Sequence, residues 1–157
     1  AANRHRRFNM ANLQTVFAEA VKLERDISRF LKVSTYPDYD DLSGLDIDFS
    51  DGEQLLLLDE LWRVADKLAD VQECIAYLSR PVTETSRLRK GTAGKYRTAK
   101  GHFYDCSSNI EALVTDEYHA VPYWTRTTVE HDGEDYYLVG YKGLPMNGLR
   151  VRVRSTT

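Results

Sequence analysis

A change of rhythm at one point divides this chain. Up to Ser79 the apolar residues recur at alternating intervals of three and four, the mark of amphipathic helices. Beyond Gly101 they fall into short β-branched and aromatic runs broken by glycines. The two periods place side chains on incompatible faces, so a helical part must be followed by a separate β part. Between them runs SRPVTETSRLRKGTAGKYRTAKG, residues 79–101, in which six basic residues (Arg87, Arg89, Lys90, Lys95, Arg97 and Lys100) follow Thr85 with no carboxylate before Tyr104. Pro81 disfavours helical backbone at Arg80 and ends the helical part there.

In the first part, Leu13, Val16, Ala20, Leu23, Ile27 and Phe30 line one seam and predict a helix over residues 11–33. A second seam of Leu57, Leu61, Val64, Leu68, Val71, Ile75 and Leu78 predicts a helix ending near Ser79. Ser50 with Glu53 three residues on reads as its capping box. Helices of this length are ~35–42 Å long and, joined by one loop, fold back as an antiparallel hairpin. Residues 1–9 read as an upstream extension, apart from the fold.

The second part reads as short strands: 95–99 and 102–105 around Lys100-Gly101, then 110–115, 124–131, 134–141 and 149–154. Asp132-Gly133 is a type I′ turn pair, and its register sets Val129 opposite Tyr136, Thr127 opposite Leu138 and Trp124 opposite Tyr141. The fold class expected is α+β: an antiparallel two-helix hairpin followed by a small SH3-like antiparallel β-barrel. The domains are an acidic hairpin over 10–81, a basic linker over 82–94 and a β-barrel over 95–157.

Charge is split along the same line. Residues 1–86 carry 10 basic and 16 acidic side chains, whereas residues 87–157 carry 11 and 8. From Asp38 in the connecting loop (34–49) to Glu53 at the start of the second helix run seven carboxylates, Asp38, Asp40, Asp41, Asp46, Asp48, Asp51 and Glu53, with no base among them. Asp46, Asp48 and Ser50 alternate as calcium ligands do, yet Asp51 stands where an EF-hand requires glycine and Leu57 where it requires glutamate. No metal is expected. The carboxylates either form a solvated loop at a helix N-terminus or, with Asp38, Asp40, Asp41, Asp46 and Asp48 foremost, imitate nucleic-acid charge and dock in a basic protein groove.

The basic residues invite the opposite use. Arg150, Arg152 and Arg154 alternate with Val151 and Val153, and with Arg87, Arg89, Lys90, Lys95 and Arg97 they form a candidate phosphate-binding set. Solvated arginines over an apolar strand face are the plainer alternative. His102, Tyr104, Cys106 and His119 lack a nucleophile turn or an oxyanion-hole glycine, so no catalytic residue and no cofactor are expected. Cys74 and Cys106 read as reduced core residues, and Trp62 and Trp124 as buried ones. No apolar run approaches the ~18 residues of a membrane helix, and a cytoplasmic location is the default.

Gly94-Lys95-Tyr96, His102-Phe103-Tyr104-Asp105, Asp132-Gly133, Val139-Gly140-Tyr141 and Arg150-Val151-Arg152 together resemble an uncharacterised small β-domain. That domain occurs in plasmid, phage and conjugative-element proteins of Gram-positive bacteria. The resemblance covers less than half of the chain. It implies a mobile-element setting and supplies no catalytic residues. The function expected is a non-enzymatic interaction protein, in its sharper form an inhibitor of a host CRISPR–Cas or restriction nuclease that binds the nuclease directly. The alternative is a nucleic-acid accessory or regulatory protein. Whether a host or a competitor protein is the partner, and in what oligomeric state, stays open.

Overall fold

The computed structural model describes residues 12–157. The expected extension over 1–9 and the expected helix start at residue 11 lie outside the described residues. The chain divides between Ser79 and Arg80 into a helical unit and a β unit.

In the helical unit, α1 (Leu13–Val33) begins where the Asn12 side chain accepts the Thr15 N–H at 2.8 Å, a cap for an otherwise unpaired amide. A single turn, α2 (Tyr36–Tyr39), is flanked by Thr35 and Asp40, both with positive φ. The long helix α3 (Gly52–Ser79) stops before Pro81 as expected. Its start differs by one residue from the sequence reading. The Asp51 carboxylate, not Ser50, accepts the Glu53 N–H at 2.9 Å, while Ser50 donates to Asp48. A carboxylate at that position also meets the positive end of the helix, an advantage that serine lacks.

The helices pack through Ile27 and Leu31 on α1 and Ala65 and Ile75 on α3, with Leu42 of the loop completing the core. The face α3 turns inward is rotated from the expected seam. Leu61, Leu68 and Ile75 belong to both, but Leu58, Ala65 and Ala69 join them, while Leu57, Val64, Val71 and Leu78 are exposed. The small Ala65 lets the helices approach closely, which Val64 and Val71 on the contact line would prevent. Gln72 fills the same line and donates to Glu24 at 3.3 Å and to Ser28.

The β unit holds eight strands. These are β1 (Val82–Arg87), β2 (Arg89–Lys90), β3 (Tyr96–Arg97), β4 (Phe103–Tyr104), β5 (Asn109–Val114), β6 (Tyr123–His131), β7 (Tyr136–Leu138) and β8 (Arg150–Arg154). They form a five-stranded antiparallel sheet in the order β1-β8-β5-β6-β7 and a three-stranded one in the order β2-β3-β4. Leu88, Tyr96, Tyr104, Ile110, Val114, Val129, Leu138 and Val151 fill the core.

Residues 82–94, expected as a linker, contain β1 and β2, and β1 is an edge partner of β8. The alternation in VTETSR was the signal for a strand there, masked by its polar composition. The β6–β7 register also differs from expectation. Val129 faces Leu138 and His131 faces Tyr136, so the loop spans residues 132–135 rather than Asp132-Gly133 alone. Asp132 causes this: its carboxylate accepts N–H groups from Glu134 and Asp135 at 3.1 Å each, which stabilises a four-residue turn. A shift of two residues keeps every side chain on its intended face, so the core is unaffected.

Candidate functional site

The acidic loop does not hang free. Leu42 is buried, Leu45 and Ile47 are half-buried, and these apolar residues interleave with the aspartates. Drawn down onto α3, the loop leaves a cavity of about 450 Å³ over Leu55, Leu58 and Trp62, with Phe49 as its outer wall. Phe49 is 73% exposed and Trp62 42% exposed, so the cavity offers aromatic surface to solvent. Asp41 and Asp59 stand on its rim. From Asp38 to Glu60 the sequence has nine carboxylates and no lysine, arginine or histidine. Trp62 was expected to be buried. It lines this pocket instead.

The five aspartates of the candidate acidic surface divide by role. Asp41 accepts the Ser43 N–H at 2.8 Å, and Asp48 accepts the Ser50 N–H at 2.9 Å, so both fasten turns. The serine hydrogen bonds hold both carboxyls below their ordinary value, against a small opposing effect of burial. Asp38, Asp40 and Asp46 are exposed, and none of the three uses its carboxylate in a hydrogen bond or ion pair among the described residues. Those three carry the uncompensated charge.

The basic set divides in the same way. Arg152 and Arg154 bind the buried Glu111 of β5: Arg154 Nε lies 2.7 Å and Arg152 Nη1 3.3 Å from its oxygens. Arg152 also lies 3.8 Å from the ring centroid of the half-buried Trp124, which is therefore a stacking partner rather than a core residue. Lys90 pairs with Asp135 at 2.9 Å, and Lys95 with Asp105. Arg87 Nη1 donates to the Gly148 carbonyl at 2.8 Å. Lys100 reaches the Thr83 carbonyl at 3.0 Å. Of the positive seam, Lys90 and Lys95 are thus neutralised by carboxylates of their own unit, whereas Arg87 and Lys100 are only tethered by carbonyls and keep their charge. Arg89, Arg97 and Arg150 are exposed and have no carboxylate partner among the described residues.

Of the residues weighed for catalysis, His102 and Tyr104 meet edge to face with ring centroids 4.9 Å apart. Cys74 and Cys106 are free and exposed, not core residues as expected. His119 Nδ1 is held at 2.8 Å by Asp116, which also accepts the Tyr123 hydroxyl at 2.6 Å. Tyr123 and His119 together hold the Asp116 carboxyl down to about 2. No hydrogen bond joins this network to Cys106 among the described residues. No group of three or more His, Cys, Asp or Glu side chains is placed to hold a metal ion among them either. A polar cleft lies by Tyr96, Tyr137 and Asn147, and its carboxylates Asp132 and Asp135 are already paired with Lys142 and Lys90. No helix among the described residues is long and apolar enough to cross a membrane.

No curated protein and no solved structure matches the chain. Residues 86–153, from the end of β1 to within β8, match the model of a family described as a domain of unknown function (DUF5348).

Proposed function

We propose that this chain is a non-enzymatic interaction protein whose helical unit docks a basic partner protein. One observation carries the reading: an apolar cavity with exposed aromatic walls lies in a stretch of nine carboxylates, of which Asp59 and Glu60 are paired with Arg63 at 3.0 and 3.5 Å while Asp38, Asp40 and Asp46 are not paired with a base. An apolar anchor side chain of the partner enters between Phe49 and Trp62, while lysines or arginines beside it meet Asp38, Asp40 and Asp46. Buried anchors in such pockets supply most of the affinity, and complementary charge speeds and orients the encounter.

In its sharper form the partner is a nucleic-acid-processing nuclease of a host defence system, CRISPR–Cas or restriction, in the cytoplasm. Its basic channel takes up the acidic surface in place of phosphates. The β unit, as a small SH3-like barrel, adds a second contact, and a mobile genetic element supplies the protein. Cleavage assays with a panel of purified defence nucleases test this. Inhibition by the parent chain is expected for at least one enzyme. Asp38→Asn, Asp40→Asn and Asp46→Asn together, and separately Trp62→Ala, should relieve it with the helical content unchanged. Inhibition that survives both variants refutes the docking site, and no inhibition across the panel refutes the nuclease as partner.

A nucleic-acid accessory or regulatory role is the second reading. The arginines left without carboxylates favour it.

A further inference from the structure

The eight basic residues that suggest phosphate binding are not equivalent, and the strand registers explain which of them remain available. In β1–β8, Arg87 stands directly opposite Arg150. In β2–β3, Arg89 stands directly opposite Arg97. Like charges facing each other across an antiparallel ladder are destabilising, so sheets ordinarily avoid the arrangement. Here it occurs twice, at neighbouring positions. Arg87 and Arg89 flank the buried Leu88, whose N–H donates to the Leu149 carbonyl at 2.8 Å, so strand alternation turns both arginines to the side away from the core.

The next cross-strand partner of Arg97 is Phe103, which is 48% exposed. The Arg97 guanidinium carbon lies 5.7 Å from the centroid of that ring, and Lys95 Nζ lies 5.0 Å from it. Lys95 is already paired with Asp105, which leaves the guanidinium groups as the unneutralised charges beside an open aromatic face.

We infer that Arg87, Arg89, Arg97, Arg150 and Phe103 form a binding face for single-stranded nucleic acid. The arginines contact successive phosphates, and an unpaired base stacks on Phe103. Close positive charges and an exposed ring are what a flexible polyanion with free bases requires. A duplex would offer the phosphates and keep its bases stacked on one another. Arg152, Arg154 and Lys90, though equally basic, take no part, because their charge is committed to Glu111 and Asp135. This face lies wholly within the β unit and does not depend on the acidic pocket.

The test is fluorescence anisotropy of the full chain with labelled single-stranded and duplex oligonucleotides at two salt concentrations about fourfold apart. The parent should bind the single strand more tightly than the duplex. Arg89→Ala with Arg97→Ala should weaken single-strand binding about tenfold or more at the lower salt and reduce the log–log salt slope by about 1.4. Phe103→Ala should weaken single-strand binding about 5- to 150-fold and leave duplex binding unchanged. Arg29→Ala with Arg63→Ala, the same charge change on exposed helical positions, should leave binding unchanged. Thermal melting guards against misfolding. Removal of the Arg89–Arg97 repulsion should leave the melting temperature unchanged or higher. Absence of single-strand binding by the folded parent, indifference to the Arg89/Arg97 pair, or equal loss on the helical control overturns the assignment. Equal binding of duplex, insensitive to Phe103, overturns the single-strand specificity.

Discussion

Substitution of Arg154 by methionine tests whether the arginines of β8 serve the fold. Glu111 has a side chain only 7% exposed, and Arg154 one 15% exposed. Arg154 gives Glu111 two contacts, at 2.7 and 3.2 Å, and gives a third hydrogen bond to the Arg80 carbonyl at 2.9 Å. Methionine keeps most of the apolar stem and removes the charge. The carboxylate would then be buried with Arg152 at 3.3 Å as its remaining β8 cation, and losing one partner of a buried pair costs about 3–5 kcal/mol. A unit of about 80 residues has a total stability of about 4–12 kcal/mol, so the loss is a large share of it. At about 4–8 °C per kcal/mol, the melting temperature should fall by about 12 °C or more. Glu111→Leu combined with Arg154→Met should recover most of this, because an apolar pair of similar volume needs no desolvation of charge. Urea unfolding of the full chain, followed by Trp124 fluorescence in a Trp62→Phe background, measures both. A loss under about 1 kcal/mol for Arg154→Met, or a double variant no better than the single, would refute the structural role.

Acid should unfold the β unit through identifiable groups. The Tyr123 hydroxyl and His119 hold Asp116, and the Asp135 and Glu134 amides with Lys142 hold Asp132, each at about 2 against an ordinary 3.8. Folded-state values below the unfolded ones mean that their stabilisation is complete above about pH 5 and is lost as the pH falls through about 2. Asp116→Asn should therefore flatten a pH titration of stability between those limits, and an unchanged slope would contradict it. A methyl group at Gly44 would collide with Thr35 Oγ1 and lie 2.8 Å from the Tyr39 ring, so Gly44→Ala should destabilise the helical unit by about 1–3 kcal/mol in thermal melts. Gly52→Ala, with nothing within 4 Å of the new methyl, should be neutral or stabilising by about 0.5 kcal/mol. Asp51→Ala should cost about 0.5–2 kcal/mol as the loss of a cap, and Ser50→Ala clearly less, measured by the same melts.

Much of the fold was legible because it rests on local physics. The boundary at Ser79, the C-terminal ends of α1 and α3, and the approximate positions of the strands after residue 95 follow from periodicity, proline and turn residues that act within a few positions. The misses share a cause, which is competition between near-equal local options. Ser50 and Asp51 are both good caps, and the tertiary approach of the loop selects between them. The Asp132 turn closes equally well in sequence with two or four residues until its carboxylate gathers the amides. For the candidate sites, the acidic loop was evident, but its pocket depended on Leu42, Leu45, Ile47 and Phe49 folding onto α3.

The sequence by itself determined a helical part and a β part, their junction and the sign of charge on each, since these depend on composition and on periods along one chain. Only the tertiary structure decided which charges are available. A lysine or arginine reads the same in sequence whether it meets a carboxylate forty residues away or solvent. Cross-strand register joins Glu111 to Arg152 and Arg154, and the same ladders set Arg87 against Arg150 and Arg89 against Arg97. Ion pairing is short-ranged and long-range in sequence, so it is settled where strands meet.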